Sequence, residues 1–392
     1  MKQSFYLAIK YLMFYKFRTV VLVFSIGLIL FLPIGLERLI TESEEQMLKR
    51  AEATPLIIGA KGSSTDLVIN TLYFQQDDVE PIKLLKVDEL NRMELGYAIP
   101  MLSVFKARGF PIVGTDLDYF NFRNFSFSAG RNLQWVGECV LGSNVAEKLN
   151  LKIGDDLVSS PENFIDLAGV YPLKMKVIGI LNSMNNADDQ AVFTDLKTNW
   201  IIMGLGHGHQ DLQNIYDPTL VLKRDSSQVT ASSKVFMFNE INSDNLESFH
   251  FHGNLTEYPI TSILFVPNDL KSSTILRGRF EANEITDQIT VPKTIVENLL
   301  QTIFRIKRIF NMIFTLVGLA TLIIIGLIVI LTLRLRKDEL FTMFTIGSSK
   351  NKTIEIIGFE LLIMVFLSIL ISLGLYGITG YFIQEFMQQF II

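Results

Sequence analysis

The sequence predicts a membrane protein with an α-helical transmembrane part of three predicted spans and a large α+β extracytoplasmic domain between spans one and two. Three uncharged apolar segments predict the spans: residues 19–36, 309–333 and 361–384. A hydrocarbon layer about 30 Å thick needs about 20 helical residues. Each segment is therefore long enough to cross a membrane, and the mean hydropathy of +0.34 agrees with this interpretation.

The orientation follows from the basic residues beside the spans. Residues 1–18 contain Lys and Arg but no acid, and residues 334–352 are also rich in bases. Since Lys and Arg are retained on the cytoplasmic side, both segments are predicted to be cytoplasmic. We expect a multi-pass membrane protein with a cytoplasmic N-terminus and a main domain on the other side of the membrane.

Three regions follow from this topology. Residues 1–36 form an N-terminal amphipathic elbow and the first span, and residues 37–305 form the extracytoplasmic domain. Residues 306–392 hold the second span, a cytoplasmic coupling segment at 334–353, the third span and a short outer C-terminal tail. Between the spans the acids outnumber the bases, which makes nucleic acid an unexpected partner.

The extracytoplasmic domain alternates strand-like runs with turn residues. Strands are predicted at Leu56–Ile58, Phe110–Gly114 and Lys174–Leu181, and a short helix at Ser143–Leu151 with Ser143 as its N-cap. The single cysteine, Cys139, excludes an internal disulfide and is interpreted as a buried small apolar side chain.

Helices are predicted on both sides of this domain, next to the membrane. Apolar residues continue the first span in helical period as far as Met47, and Pro292 is suited to the first turn of a helix that leads into the second span. The two helices would form a stalk; a pair of short linkers is the alternative.

The cytoplasmic coupling segment has the composition of an amphipathic helix that docks on a partner. Asp338 and Glu339 begin it, Phe341 and Phe344 provide apolar anchors, and Gly347 with Ser348 ends it. An apolar face with a charged flank suits a helix bound in a groove. The alternative is a solvated loop whose charges only fix the topology.

The third span contains small residues that favour close helix packing, namely Ser368, Ser372, Gly374 and Gly377. Packing within the chain and packing between two copies would both use them. The spans contain no charged residue, which disfavours an ion or proton pathway.

The four histidines form two His-x-His pairs, His207 with His209 and His250 with His252. In an extended segment, alternate side chains face the same way, so each pair could offer two imidazoles to one metal ion, with zinc as the expected ion. Chance pairing on the surface is the alternative. The phosphate-binding loop of ATPases is missing, so no ATP hydrolysis is expected in this chain.

Several motifs together resemble the FtsX and MacB-like permeases of ABC transporters. The membrane part contributes Ala8–Leu12, Lys16–Thr19, Arg336–Glu339, Ile346–Lys350 and Glu360. The outer part contributes Ile112–Asp116, Ala129–Arg131, Val140–Ala146 and Ile153–Asp155. The resemblance covers both ends of the chain and about the first half of the outer domain.

The resemblance implies a permease subunit that works as a dimer with a separate ATP-binding subunit. In that family, closure of the ATPases is transmitted through the coupling helix and stalk to the outer domain, which drives export or extraction of a substrate. A periplasmic adaptor is a further implied partner. The family usually has four spans; only three are predicted here, and a small membrane subunit could supply the fourth. The alternative function is a regulatory transducer that controls a periplasmic hydrolase or sensor and is linked to zinc.

Overall fold

The computed structural model describes residues 2–75, 79–159, 172–208, 221–224, 229–231, 239–242, 244–282, 287–335, 337–345, 347 and 349–390. The chain divides into two compact units. The helical unit comprises residues 1–45 and 298–391, and the sheet unit comprises residues 46–297.

The α-helices are α1 (Lys2–Phe14), α2 (Lys16–Glu52), α3 (Ser64–Tyr73), α4 (Leu85–Asn91), α5 (Leu117–Phe122), α6 (Ser143–Leu149), α7 (Leu196–Ile202), α8 (Leu270–Ala282), α9 (Pro292–Leu335), α10 (Lys337–Thr345) and α11 (Lys350–Phe390). Short 3₁₀ turns lie at Ala187–Gln190, Leu246–Ser248 and Leu255–Glu257.

The strands are β1 (Leu56–Ala60), β2 (Ile82–Lys83), β3 (Gly96–Ala107), β4 (Phe110–Thr115), β5 (Phe127–Gly130), β6 (Glu138–Leu141), β7 (Asp156–Val158), β8 (Lys174–Leu181), β9 (Val192–Asp195), β10 (Gly206–Gly208), β11 (Val221–Arg224), β12 (Val229–Ala231), β13 (Phe249–Phe251), β14 (Pro259–Ile260), β15 (Ser262–Pro267) and β16 (Asp287–Thr290).

Three helices are long and apolar enough to cross a membrane: α2, residues 308–331 of α9, and residues 351–379 of α11. They contain the segments predicted from the sequence, apart from the last few residues of the second and third. The predicted helix start at Pro292 is confirmed, because α9 begins there and continues into the second apolar segment.

The elbow helix α1 packs on α11 through one face. Ser4, Ala8 and Leu12 recur every four residues and are all buried. The Ser4 hydroxyl donates to the Glu355 carboxylate at 2.9 Å, and the rings of Phe5 and Phe359 meet edge to face. This face holds α1 against α11.

The sheet unit is built on one mixed ten-stranded sheet in the order β16-β1-β15-β3-β4-β9-β6-β8-β5, with β7 paired to β8. The β4–β9 and β6–β8 pairs are parallel, and the other pairs are antiparallel. Helices lie between the strands in sequence, so the predicted α+β domain is confirmed.

Two apolar clusters form the core of this sheet. One contains Ile58, Leu102, Trp200 and Phe265, and the other contains Cys139, which is buried as predicted. Strand β8 buries alternate residues, which is why its pattern was readable from the sequence.

The predicted N-cap of α6 is wrong by one residue. Gly142 is the cap and Ser143 is the first helical residue, with a hydroxyl oxygen that is buried and lacks a hydrogen-bond partner among the described residues. A Cβ on Gly142 would lie 2.3 Å from the carbonyl oxygen of Asp188. The close approach of the turn at Ala187–Gln190 therefore places a glycine at the cap.

Candidate functional site

The coupling segment is a nine-residue helix, α10, between the second and third apolar helices. Its hydroxyl groups bond within the helix, as Thr342 donates to the carbonyl oxygen of Asp338 and Thr345 to that of Phe341. Asp338 is exposed, and Phe341 is 70% exposed. A large aromatic ring on the surface of a short helix is a candidate docking anchor.

The segment ends where it was predicted to end. Gly347 has φ +98, a conformation that side chains other than glycine rarely adopt, and open space surrounds it. The side chains of Glu339 and Phe344, and all of Ser348, lie outside the described residues. The docking roles of these six positions stay predictions.

The four small residues of the third apolar helix divide into two groups. Ser368 and Ser372 are buried, and the Ser368 hydroxyl donates to the carbonyl oxygen of Val23 on α2 at 3.0 Å. Gly374 and Gly377 are exposed, and a Cβ on either would meet no atom within 4 Å. The serines therefore pack inside the helical unit, whereas these glycines have open space beside them among the described residues.

Glu360 is buried in the N-terminal half of α11, with 5% of its surface exposed. It lines a cavity of about 30 Å³ together with Arg18, Leu333 and Met364. Its carboxylate thus faces the interior of the helical unit, which disfavours a snorkelling position at the surface.

Within the sheet unit, the last turns of α2 are joined to the core by a buried ion pair that the sequence did not reveal. The Arg50 guanidinium donates to both carboxylate oxygens of Asp188, at 2.6 and 2.8 Å. Tyr119 contacts both partners, since its hydroxyl donates to Asp188 and accepts from Arg50. The Arg50 side chain is 4% exposed and that of Asp188 is not exposed at all.

The electrostatics of this ion pair favour the charged forms. Burial alone would raise the pKa of Asp188, but the charge and hydrogen bonds of Arg50 outweigh it and lower the pKa below its ordinary value. For Tyr119, burial and the negative charge of Asp188 raise the pKa. Asp188 is therefore ionised at neutral pH.

The start of α9 lies beside the end of α2 in the same unit. The Lys293 ammonium lies 2.9 Å from the Glu52 carboxylate. Ala51 and Val296 are fully buried nearby in sequence, and the Tyr73 hydroxyl donates to the carbonyl oxygen of Met47. Both helix ends are thereby held in the sheet unit.

The two His-x-His pairs meet across the β10–β13 ladder. His207 lies opposite His250 in this antiparallel pair, with Gly206 opposite Phe251 and Gly208 opposite Phe249. His207, His250 and His252 bring their ligand nitrogens within 4.8 Å of one another. His209 lies outside the described residues, so its part in the predicted site stays a prediction.

Comparison with known proteins shows the family to which the chain belongs. The model of the MacB-like periplasmic core domain family matches residues 23–238, which is more than half of the chain. The chain belongs to this family, and the predicted resemblance to MacB-like permeases is confirmed.

One relative is the uncharacterized ABC transporter permease YclI of Bacillus subtilis (strain 168), which is 24% identical over 242 residues. The match covers 62% of this chain and 41% of YclI, so the chain spans about two fifths of the length of this relative.

Two solved structures are also similar. The periplasmic region of MacB from Actinobacillus actinomycetemcomitans is 13% identical with a TM-score of 0.35, over 64% of this chain and 97% of that one. The extracellular domain of the noncanonic ABC-type transporter YknZ from Gram-positive bacteria is 8% identical with a TM-score of 0.32. This match covers 60% of this chain and 98% of that one.

Proposed function

We propose that this chain is the permease subunit of an ABC transporter and transmits conformational change from a separate ATP-binding subunit to its sheet unit. The family match and the relative described as an ABC transporter permease support the class. The family and this relative also support a location in the bacterial inner membrane. The proposed orientation, with a cytoplasmic N-terminus and a periplasmic sheet unit, rests on the distribution of basic residues.

The exposed Phe341 on α10 is the observation that carries the proposal. Because this ring is 70% exposed on a nine-residue helix, it gains little from burial among the described residues. In a groove of a partner, the same ring would be an anchor of the kind that dominates interface energies. Its position between two helices that can cross a membrane fits a contact with an ATP-binding subunit.

The helices α2 and α9 provide the path for the transmitted motion. Each is a single helix that contains an apolar span and also reaches residues of the sheet unit. The Arg50–Asp188 pair holds the end of α2, and the Lys293–Glu52 pair links it to α9. A displacement of either helix end would thus act directly on the sheet core.

We further propose export or extraction of a substrate across the cell envelope, by a dimer of permeases. The exposed Gly374 and Gly377 offer a surface on which a second copy or a small membrane subunit could pack closely. A periplasmic adaptor would complete the path. ATP hydrolysis is assigned to the partner subunit.

The test is site-specific cross-linking at α10. A photoreactive phenylalanine analogue replaces Phe341 in the full chain, which is co-expressed with ATP-binding subunits from the same genome. We expect a covalent adduct with one such subunit. Phe341→Ala should weaken the complex by about 30-fold, as expected for the loss of an anchor worth about 2 kcal/mol.

Leu270→Ala provides the control, because Leu270 is 85% exposed on α8 of the sheet unit. This variant removes a comparable exposed apolar side chain and should leave the complex unchanged. Equal binding by Phe341→Ala and the parent chain, with no adduct at position 341, would contradict the proposed coupling role.

A further inference from the structure

We propose that His207, His250 and His252 form a binding site for a divalent transition-metal cation such as Zn²⁺, with one coordination position left for another ligand. The proposal does not rest on the proposed function, since all three residues belong to the sheet unit.

Strand register brings the histidines together. His207 is directly opposite His250, and His252 follows two residues later. Side chains two apart on an extended segment point to the same side, and directly opposite side chains on paired strands share a face. Two short pairs that are distant in sequence are thus combined into one cluster.

The opposite face of the same ladder is packed against the core. The Phe251 ring meets the rings of Trp200 and Tyr258 edge to face. A Cβ on Gly206 would lie 2.4 Å from the Phe251 ring, and one on Gly208 would lie 2.7 Å from the Phe249 ring. The glycines of Gly206-His-Gly208 therefore allow these rings to lie against the strand, which fixes the imidazoles on the other face.

A backbone contact selects the tautomer of His250. Its Nδ1 lies 3.0 Å from the carbonyl oxygen of Ser248. A carbonyl oxygen can only accept, so Nδ1 carries the proton and Nε2 carries the lone pair that binds a metal. Metal-ligating histidines commonly have such a partner on the second nitrogen, which orients the ring.

The distances suit a tetrahedral ion. The Nε2 atoms of His207 and His252 face each other at 3.5 Å. Two nitrogens bound to Zn²⁺ at about 2.0–2.1 Å in tetrahedral geometry are about 3.3–3.4 Å apart. One ring nitrogen from each of the three histidines lies within 4.8 Å of the other two, so small side-chain rotations would complete the three contacts.

Tyr258 supports the cluster from behind. Its hydroxyl lies 3.1 Å from the carbonyl oxygen of Leu205 and 2.9 Å from that of His252. The hydroxyl thus bridges the residue before β10 and the residue after β13. This link holds the two sides of the site together in the absence of an ion, which lowers the cost of ordering the ligands.

The ligand chemistry selects the class of cation. Imidazole nitrogens suit zinc, copper and nickel, whereas calcium and magnesium prefer oxygen ligands. No Cys, Asp or Glu joins the three histidines in this cluster among the described residues. Three protein ligands leave a fourth tetrahedral position for water or for a group from another molecule.

The experiment is equilibrium dialysis of the full chain in detergent against ZnCl₂, with Co²⁺ absorption as a second readout. We expect one ion per chain and the visible bands of tetrahedral Co²⁺. His207→Ala, His250→Ala and His252→Ala should each weaken binding by at least about 10–100-fold, the loss caused by removing a supporting partner alone.

Glu247→Gln is the matched control, because Glu247 is exposed and lies three residues before His250. It should bind Zn²⁺ like the parent chain. Each histidine variant is also checked by tryptophan fluorescence, since both tryptophans lie in the sheet unit and report whether it is folded.

Two results would overturn the proposal. The first is the absence of Zn²⁺ and Co²⁺ binding by the folded parent chain. The second is retention of full affinity by a folded His252→Ala variant, which removes the exposed ligand that is least needed for packing. Loss of binding in Glu247→Gln but in none of the three histidine variants would assign the ion to a different site.

Discussion

The two units treat large apolar side chains in opposite ways. In the sheet unit, Phe193 and Phe265 are fully buried. In the helical unit, Leu316 and Leu322 on α9 are 70% and 67% exposed, and none of the apolar part of α9 is buried. A surface this apolar is not stable in water, so the helical unit requires lipid or other helices around it, whereas the sheet unit supplies its own core.

Charged side chains are also placed differently in the two units. The sheet unit buries Arg50 and Asp188 as a pair whose polar atoms are bonded to each other and to Tyr119. The helical unit exposes Asp338, three residues before the exposed Phe341. The sheet unit thus depends on internal contacts, whereas the exposed surface of the helical unit is available to lipid or to other chains.

The largest expected effect is in the buried ion pair. Asp188→Asn leaves the Arg50 charge buried without its counterion, and removal of one partner of a buried pair costs about 3–5 kcal/mol. We expect the free energy of unfolding of the sheet unit to fall by that amount. Denaturant unfolding of the full chain in detergent, followed by tryptophan fluorescence, measures it.

Glu257→Gln is the matched control, because Glu257 pairs with Lys83 in the same unit but both side chains are about half or more exposed. Exposed pairs contribute about 0–1 kcal/mol. An equal loss of free energy of unfolding in Asp188→Asn and Glu257→Gln would show that burial of the Arg50–Asp188 pair adds nothing to stability.

The same pair predicts the pH dependence of stability. The pKa of Asp188 is lower in the folded chain than in the unfolded chain, so its contribution is complete at neutral pH. It decreases as the pH falls below about 4, the ordinary pKa of Asp, and is lost as the pH passes through the lowered folded value. Chemical unfolding at a series of pH values should show this loss in the parent chain. Asp188→Asn should lack that part of the acid response.

A smaller effect is expected at Gly142, where the backbone approaches too closely for a side chain. A Cβ there would lie 2.3 Å from the carbonyl oxygen of Asp188 and 2.5 Å from backbone atoms of Asp189. Since backbone cannot rotate away as a side chain does, Gly142→Ala should cost about 1–3 kcal/mol. Thermal unfolding monitored by tryptophan fluorescence measures the loss.

Gly62→Ala is its control, because a Cβ on Gly62 meets no atom within 4 Å. It should change the free energy of unfolding by no more than about 0.5 kcal/mol. If Gly142→Ala lowered the free energy of unfolding by no more than Gly62→Ala, the close backbone approach at the cap of α6 would be disproved.

Local patterns were readable from the sequence because they depend on neighbouring residues. Uninterrupted apolar runs predicted the long helices, and the alternation of polar and apolar residues that begins at Lys174 predicted β8 with its bounds. The cap of α6 was misassigned since Ser143 is the better capping residue by type. The turn at residues 187–190, about 45 positions later in the chain, approaches so closely that the cap is a glycine, Gly142.

Long-range pairing was not readable in the same way. Arg50 and Asp188 are 138 residues apart, and an Asp in a polar stretch is usually a solvated turn residue. For the histidines, the spacing predicted that His250 and His252 share a face. The spacing did not predict that β13 would pair with β10. That pairing adds His207 to the cluster and depends on the register of the two strands.

The smallest expected effect is in the helical unit, at the contact between α2 and α11. The Ser368 hydroxyl donates to the carbonyl oxygen of Val23, and a Cβ on Gly27 would lie 3.0 Å from the carbonyl oxygen of Ser368. The helices are thus close enough for a hydroxyl to bridge them. Hydrogen bonds between membrane helices contribute about 0.6 kcal/mol on average, so Ser368→Ala should weaken the contact by about that amount.

SDS titration of the full chain in mixed micelles, followed by energy transfer between labels on α2 and α11, measures this weakening. Thr321→Ala is the control, since the described hydrogen bond of Thr321 goes to Val317 of its own helix. A weaker α2–α11 contact in Ser368→Ala but not in Thr321→Ala would show that the helical unit, despite its exposed apolar surface, has a specific internal contact. Equal effects would mean that surrounding helices or lipid, and not this contact, hold α2 against α11.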